Sequence, residues 1–281
     1  MNDENMNLRA LQQAELRILD EVCRICRKNG IEFYITAGTL LGAVRHGGFI
    51  PWDDDVDIAM PRRHYERFRR IAKNGLKDGF TFVDGRCERD YPFYFGKVRL
   101  DGTEVEEELL RGFNLHKGCY VDIFPLDKCP TGLRRRKTFF KLCEVVSCAI
   151  IARREKSFAC EYQKSSARLL FGLIKALPLP LQKGLRRFLR ATGSFFSSGR
   201  TLATVSGSHG YIRESYESKW FSSSQELEFE GRVMPAPIGY RELLSNMYGD
   251  YMTPPDKIER TGHFTNITID IDDKNKKGDT K

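Results

Sequence analysis

Two carboxylates set two residues apart, Asp55 and Asp57, stand in the run Asp55-Val56-Asp57-Ile58-Ala59-Met60. In a strand, alternate side chains share a face, so the two acids project together while Val56 and Ile58 point into the core. Like charges held that close are relieved by a raised pKa on one of them or by a bound cation. An all-oxygen donor set suits a divalent ion such as Mg2+ or Mn2+, which is usually held by one or two carboxylates together with substrate phosphates. A solvated edge strand carries such acids as well, so the pair alone leaves both readings open. Upstream, Gly38-Thr39 follows a short apolar run and opens a helix-like stretch. Glycine at such a step lets backbone N–H groups face an anion at a helix start. Together, Asp55 and Asp57 with Gly38 and Thr39 describe a pocket for a metal-bound phosphate.

Further along, Cys119 to Asp127 reads as a strand with Asp122 embedded among apolar residues. A carboxylate there is costly to bury without a partner, which makes Asp122 a third candidate metal ligand. Asp127 follows Pro125 outside the alternation, so a turn or helix-capping role is expected for it. Lys97 and Arg99 alternate on one side of a strand candidate, Tyr94 to Leu100. Facing the acids, they would hold donor phosphates or offset charge on a leaving group; facing outward, they are an exposed strand face.

These residues need a sheet and helices to hold them. Leu8 to Lys28 has the periodicity of an amphipathic helix, closed by Asn29-Gly30. A helix over Arg62 to Ala72 and strands at Phe80 to Val83 and Tyr94 to Leu100 follow, with a loop or short helix over Thr103 to Arg111. From Leu133 to Arg200 basic clusters interleave with apolar runs in a helical pattern broken by Pro178 and Pro180, and Gly193 to Gly210 reads as a linker. A hairpin near Phe229 to Val233 and a helix over Tyr240 to Met247 complete the chain. The expected class is α+β: a mixed sheet core flanked by helices over residues 1–130, a basic helical insertion over 131–205, a C-terminal segment over 206–270 completing the cleft, and a disordered lysine-rich tail over 271–281.

With 281 residues, 41% of them hydrophobic, the chain can bury a sizeable core. Its 46 Lys plus Arg against 38 Asp plus Glu leave a net charge of +8, which suits nucleotides, phosphorylated glycans or an anionic membrane face and does not select nucleic acid. The polar start MNDENMNLRA has no apolar signal core, and no apolar run reaches spanning length, so a cytoplasmic protein is expected. The basic helical region would then rest peripherally on anionic lipid, or form an ordinary subdomain. Cys23 and Cys26 form a C-x-x-C with no second pair at zinc-finger spacing, which points to packing.

The whole run AGTLLGAVRHGGFIPWDDDVDIAM resembles the signature of the LicD family, and Cys119 to Asp127 resembles that family's IDIFPLD motif. The family belongs with the nucleotidyltransferase-like fold and includes bacterial phosphocholine transferases and the fukutin-related proteins. The resemblance implies that Gly38 and Thr39 match the glycine-started helix, that Asp55 and Asp57 match the paired acids with Asp122 as the later carboxylate, and that a basic residue such as Lys97 is usual on its strand. It extends to Tyr248-Gly249-Asp250 and the prolines after it, where His263 would contact the substrate or move a proton. It implies a CDP-alcohol donor such as CDP-choline, a hydroxyl of a surface or lipid-linked glycan as acceptor, and release of CMP. Nucleotidyl transfer or another phospho-transfer on the same fold, and a non-catalytic glycan- or lipid-binding protein, stay open.

Overall fold

The computed structural model describes residues 3–107, 110–155, 158, 167–205, 210–256 and 266–268. His263, Cys160 and the lysine-rich tail lie outside the described residues. The first half contains α1 (Asp3–Asn29), β1 (Tyr34–Ile35), α2 (Ala37–His46), β2 (Asp57–Pro61), α3 (Arg62–Gly75), β3 (Phe80–Val83), β4 (Gly96–Leu100), β5 (Glu104–Glu106) and β6 (Tyr120–Lys128). There follow α4 (Leu133–Arg154), α5 (Arg168–Ala176), α6 (Leu179–Phe195), β7 (Thr201–Ala203), α7 (Gly210–Arg213), β8 (Ser215–Glu217), β9 (Ser224–Phe229), β10 (Arg232–Pro237), α8 (Tyr240–Tyr248) and β11 (Asn266–Thr268). The architecture is α+β.

The main sheet runs β1-β2-β6-β4-β3, with β7 and β8 continuing from the far end of β6. Only β2 and β6 are parallel; the other pairs are antiparallel. Period-two alternation explains why these segments pair: Ile58, Val98, Val121 and Ile123 are completely buried on the face that α1 and α3 cover. The opposite residues Asp57, Asp122 and Lys97 share the other face. The apolar stripe of α1, including Leu11, Ile18, Val22 and Cys26, is likewise buried.

Four expectations change. Strand β2 begins at Asp57, so Asp55 belongs to the loop before it; three consecutive carboxylates at 53–55 keep that loop out of the ladder. Part of the stretch expected as loop or short helix is β5, paired antiparallel with β11, because Val105 is buried while Glu104 faces solvent. Asp127 is no cap: it stays within β6 and pairs with the guanidinium of Arg62 at the head of α3. The Ser- and Gly-rich stretch from Gly193 is also more ordered than a linker. Gly193 ends a buried stripe of α6, where a Cβ would come within 2.6 Å of the Phe139 ring, and Thr201–Ala203 joins the sheet as β7.

Helices α4, α5 and α6 pack around an apolar cluster of their own that includes Phe139, Val146, Ile150, Phe171 and Leu189. Pro178 ends the path of α5 and precedes α6, as residues on either side of a proline are biased to do. Among the described residues no helix is long and apolar enough to cross a membrane.

Candidate active site

Strand register builds the centre. Asp57 lies directly opposite Asp122 across the parallel β2–β6 pair, and Asp122 lies directly opposite Lys97 across β6–β4. One transverse row therefore carries acid, acid and base on three adjacent strands, each about 4.8 Å from the next. All three side chains are buried. The sequence spacing of Asp55 and Asp57 suggested a pair within one strand; the structure makes the nearest strand-borne pair Asp57 with Asp122. Asp55 joins from the loop, where Asp53, Asp54 and Asp55 each offer a carboxylate oxygen within 4.8 Å of the others.

The loop is held from below by α2. Ala37 takes φ +45°, a left-handed conformation uncommon for a residue with a Cβ, and turns the chain from β1 into the helix. This brings Gly38 against the acidic loop, where a Cβ would lie 2.6 Å from Asp53 Oδ2. Thr39 is buried, and its Oγ1 accepts the N–H of Asp57 at 2.8 Å. Its hydroxyl thus fixes the first residue of β2. The helix ends at Gly47, whose left-handed φ of +67° lets its N–H reach the carbonyl of Ala43. From α1, Gln12 Nε2 donates to the carbonyl of Asp53 at 3.0 Å.

Lys97 straddles both oxygens of Asp122, at 2.9 and 3.3 Å, and reaches Glu107 Oε2 at 3.2 Å. Its ammonium also lies 3.2 Å from the centroid of the Tyr120 ring. Arg99 is engaged elsewhere: it donates to the carbonyl of Gly118 at 2.8 Å and to Glu107 Oε1 at 2.7 Å. Glu107 therefore bridges the two strand cations. Glu104 and Glu106 pair outward with Lys117 and Arg111.

The electrostatics follow from crowding buried acids. Burial, then the charges of Asp55, Asp122 and Asp53, push Asp57 well above the carboxylate range against the pull of Lys97. Burial raises Asp122 to about 7; Lys97 opposes, while Glu107 and Asp55 add to the rise. Glu15 on α1 is also pushed up, by burial and then by Asp55, and its Oε2 has no hydrogen-bond partner among the described residues. Glu107 goes the other way: burial would raise it, but Lys97 and Arg99 outweigh that and hold it low. Buried carboxylates that repel one another form a donor set that a divalent cation would relieve. Among the described residues the three carboxylates whose oxygens lie within 4.8 Å of one another are Asp53, Asp54 and Asp55, a donor set that fits such an ion; Asp57 and Asp122, on the adjoining strands, do not form a group of that spacing with Asp55.

The C-terminal segment returns to this place. Burial and the charges of Asp57 and Asp53 raise the phenol of Tyr248 at the end of α8. Arg45 of α2 donates to the carbonyl of Tyr251 at 3.0 Å. The fully buried Tyr91, whose ring packs edge-on against Phe93, has a hydroxyl without a hydrogen-bond partner among the described residues, and burial and then the charge of Asp122 push its phenol up. Tyr91, Glu107, Glu15 and Asp53 were not singled out in the sequence. The signal for Glu107 was its place in an acidic run; for Tyr91 and Glu15 there was none, because only the fold brings them near Asp122 and Asp55.

Residues 30–141, which hold the whole acid row, match the family described as LicD/FKTN/FKRP, nucleotidyltransferase domain. The chain carries a LicD-family nucleotidyltransferase domain. Over 269 residues the chain is 27% identical to the lipopolysaccharide cholinephosphotransferase LicD of Haemophilus influenzae, covering 95% of this chain and 99% of that protein. It is 43% identical over 49 residues to the human ribitol 5-phosphate transferase FKRP, which is 16% of this chain and 10% of that one. The mannosyltransferase regulator 4 of Saccharomyces cerevisiae matches at 26% over 107 residues, 36% of this chain and 8% of the yeast protein. In this LicD-family domain the matched segment begins before β1 and ends within α4, so it contains β2, β4 and β6 whole.

Proposed function

We propose that this LicD-type phosphotransferase moves a phospho-alcohol, phosphocholine in the first instance, from a CDP-activated donor to a hydroxyl of a cell-surface or lipid-linked glycan. The observation that carries the reading is the register that sets Asp57, Asp122 and Lys97 in one buried row beside Asp55. Likeness over nearly the whole chain to a lipopolysaccharide cholinephosphotransferase supports the transferred group and the acceptor class.

In this mechanism Asp55, Asp57 and Asp122 would hold Mg2+ or Mn2+, which would supply positive charge to offset that of the donor phosphates. Lys97, already anchored by Asp122 and Glu107, places a fixed positive charge beside the leaving CMP. Gly38 leaves room for the acidic loop at the start of α2, and Thr39 keeps β2 in register. The acceptor hydroxyl attacks phosphorus, the bond to CMP breaks, and one of the acids takes the hydroxyl proton.

The helical segment would rest on anionic lipid from the cytoplasmic side. Leu181, Phe188 and Phe195 recur every seven residues along one stripe of α6, and all three are exposed, as are Leu169 and Leu173 on α5. Arg168, Lys175 and Arg187 flank them, the composition of a helix pair that lies in an interface.

Purified protein incubated with Mg2+ and CDP-choline, CDP-ribitol, CTP or UDP-sugars, with released nucleotides identified by mass spectrometry, tests the reading. CMP released from a CDP-alcohol and lost on chelation is the expected result. Pyrophosphate released from CTP would instead favour nucleotidyl transfer, the second reading, which the description of the matched domain supports.

A further inference from the structure

A second cleft lies between α3, α6 and the segments that leave β3 and enter β4, with a volume of about 610 Å³ including the solvent at its mouth. Seven of its fourteen lining residues are Arg or Lys, against two acids, Glu66 and Asp84. The cations come from separate elements: Arg62 and Arg69 from α3, Arg86 from the turn after β3, and Lys183, Arg186, Arg187 and Arg190 from α6, with Arg186 donating to the carbonyls of Pro92 and Phe93.

Their neutralisation is incomplete. The single carboxylate of Glu66 is shared by Arg62 at 3.4 Å, Arg69 at 3.2 Å, Arg86 at 3.3 Å and Arg190 at 3.5 Å. Distances beyond 3.1 Å are long for a charge-assisted hydrogen bond, and one unit of charge cannot offset four. Arg62 has Asp127 as a second partner and Arg69 lies 3.9 Å from Asp84, but Arg187 has no ion pair or hydrogen bond among the described residues. Lys183 spends one of its three donors on the carbonyl of Gly85 at 2.8 Å. Burial and then the neighbouring guanidiniums, Arg186 for Lys183 and Arg62 for Arg190, lower both cations. Such a concave surplus of positive charge is stabilised by a multivalent anion.

We infer that this cleft is a second anion site, separate from the carboxylate row, which takes a diphosphate group through Arg86, Lys183, Arg187 and Arg190. The two sites meet at an aromatic wall: Phe93 and Phe95 line the cleft and also stand 5.7 and 5.6 Å from the Lys97 ammonium. A diphosphate that carries a lipid tail offers this chemistry, although the exposed Leu181, Phe188 and Phe195 lie on the face of α6 opposite the cleft cations, so the tail would have to pass round the helix to reach them. A soluble nucleoside diphosphate offers the same chemistry without the tail.

The test is titration of the full chain with inorganic pyrophosphate in EDTA, so that the carboxylate row holds no metal and its failure as a catalytic centre leaves this result unaffected. Binding is expected, and the double variant R187E/R190E should weaken it about tenfold or more while D57N leaves it unchanged. K183M, at a half-buried but singly bonded position, is the second variant, and thermal unfolding without ligand checks that each protein is folded. Flotation with neutral vesicles, with and without a polyprenyl diphosphate, separates the sources: enrichment that pyrophosphate competes away assigns the lipid-linked one, and pyrophosphate binding without enrichment assigns the soluble one. No binding in EDTA, or binding that folded R187E/R190E and K183M retain in full, overturns the inference.

Discussion

Replacing Asp122 by Asn keeps the shape of the protonated carboxyl and removes its titration, so it isolates what the buried charge does. In the metal-free protein burial and neighbouring acids move this carboxyl from 3.8 to about 7. At 1.36 kcal/mol per pH unit, that gap is on the order of 4 kcal/mol in favour of the protonated form. The sign is fixed by linkage: a folded-state pKa above the unfolded value means the native state binds the proton more tightly, so native stability falls as pH rises between the two values. Below about pH 4 the two proteins should unfold alike. As pH rises D122N should become the more stable in EDTA, by up to about 4 kcal/mol above pH 7, with each kcal/mol worth about 2–4 °C in Tm. Saturating Mg2+ or Mn2+ should reverse the order, because the wild type then gains a ligand that Asn does not supply. Urea unfolding from pH 4 to 8, with and without the ion, reads both effects. A constant gap between the two proteins across that range, or a D122N less stable at pH 8 in EDTA, would refute the crowded-carboxylate account.

Other substitutions probe the supports of the row. Thr39→Val leaves the buried N–H of Asp57 without its acceptor and should cost about 1–3 kcal/mol, read in urea midpoints, with activity falling further than occupancy of the fold. Gly38→Ala drives a methyl to within 2.6 Å of Asp53 Oδ2; the expected outcome is weaker Mn2+ binding by calorimetry with an unchanged circular dichroism spectrum. Glu107→Gln removes the buried charge shared by Lys97 and Arg99 and should destabilise by about 3–5 kcal/mol, measured by urea unfolding near pH 7. Leu173→Glu with Phe188→Glu should abolish flotation with anionic vesicles and leave Tm unchanged, since both residues are exposed.

The centre was legible in the sequence to the extent that it depends on alternation and on rare burial. Asp57 and Asp122 could be found because each interrupts an apolar strand, where an acid has to be accounted for. Their contact could not be read, because register between strands 65 residues apart is set by the sheet and not by local pattern. The same holds for Lys97 and Arg99: alternation put them on one face, but Glu107 decides that Lys97 also reaches Asp122 while Arg99 is bound to structure. Asp127 was misread because Pro125 looked like a stop, whereas in β6 the strand continues past it to pair with β7. The basic clusters of α6 read as part of a helical subdomain or a lipid-facing surface; only the fold shows that Arg190 reaches across to Glu66 of α3.

Strand β6 occupies the middle of the sheet yet is made after both of its neighbours. While the ribosome extends the chain towards residue 120, β2 and β4 each present a row of unsatisfied backbone groups on the side where β6 will insert. Such open edges invite pairing with other chains during synthesis. Fragments that stop short of β6 should therefore collect in inclusion bodies, and a chaperone that shields nascent strands should matter more to yield than any change in growth temperature.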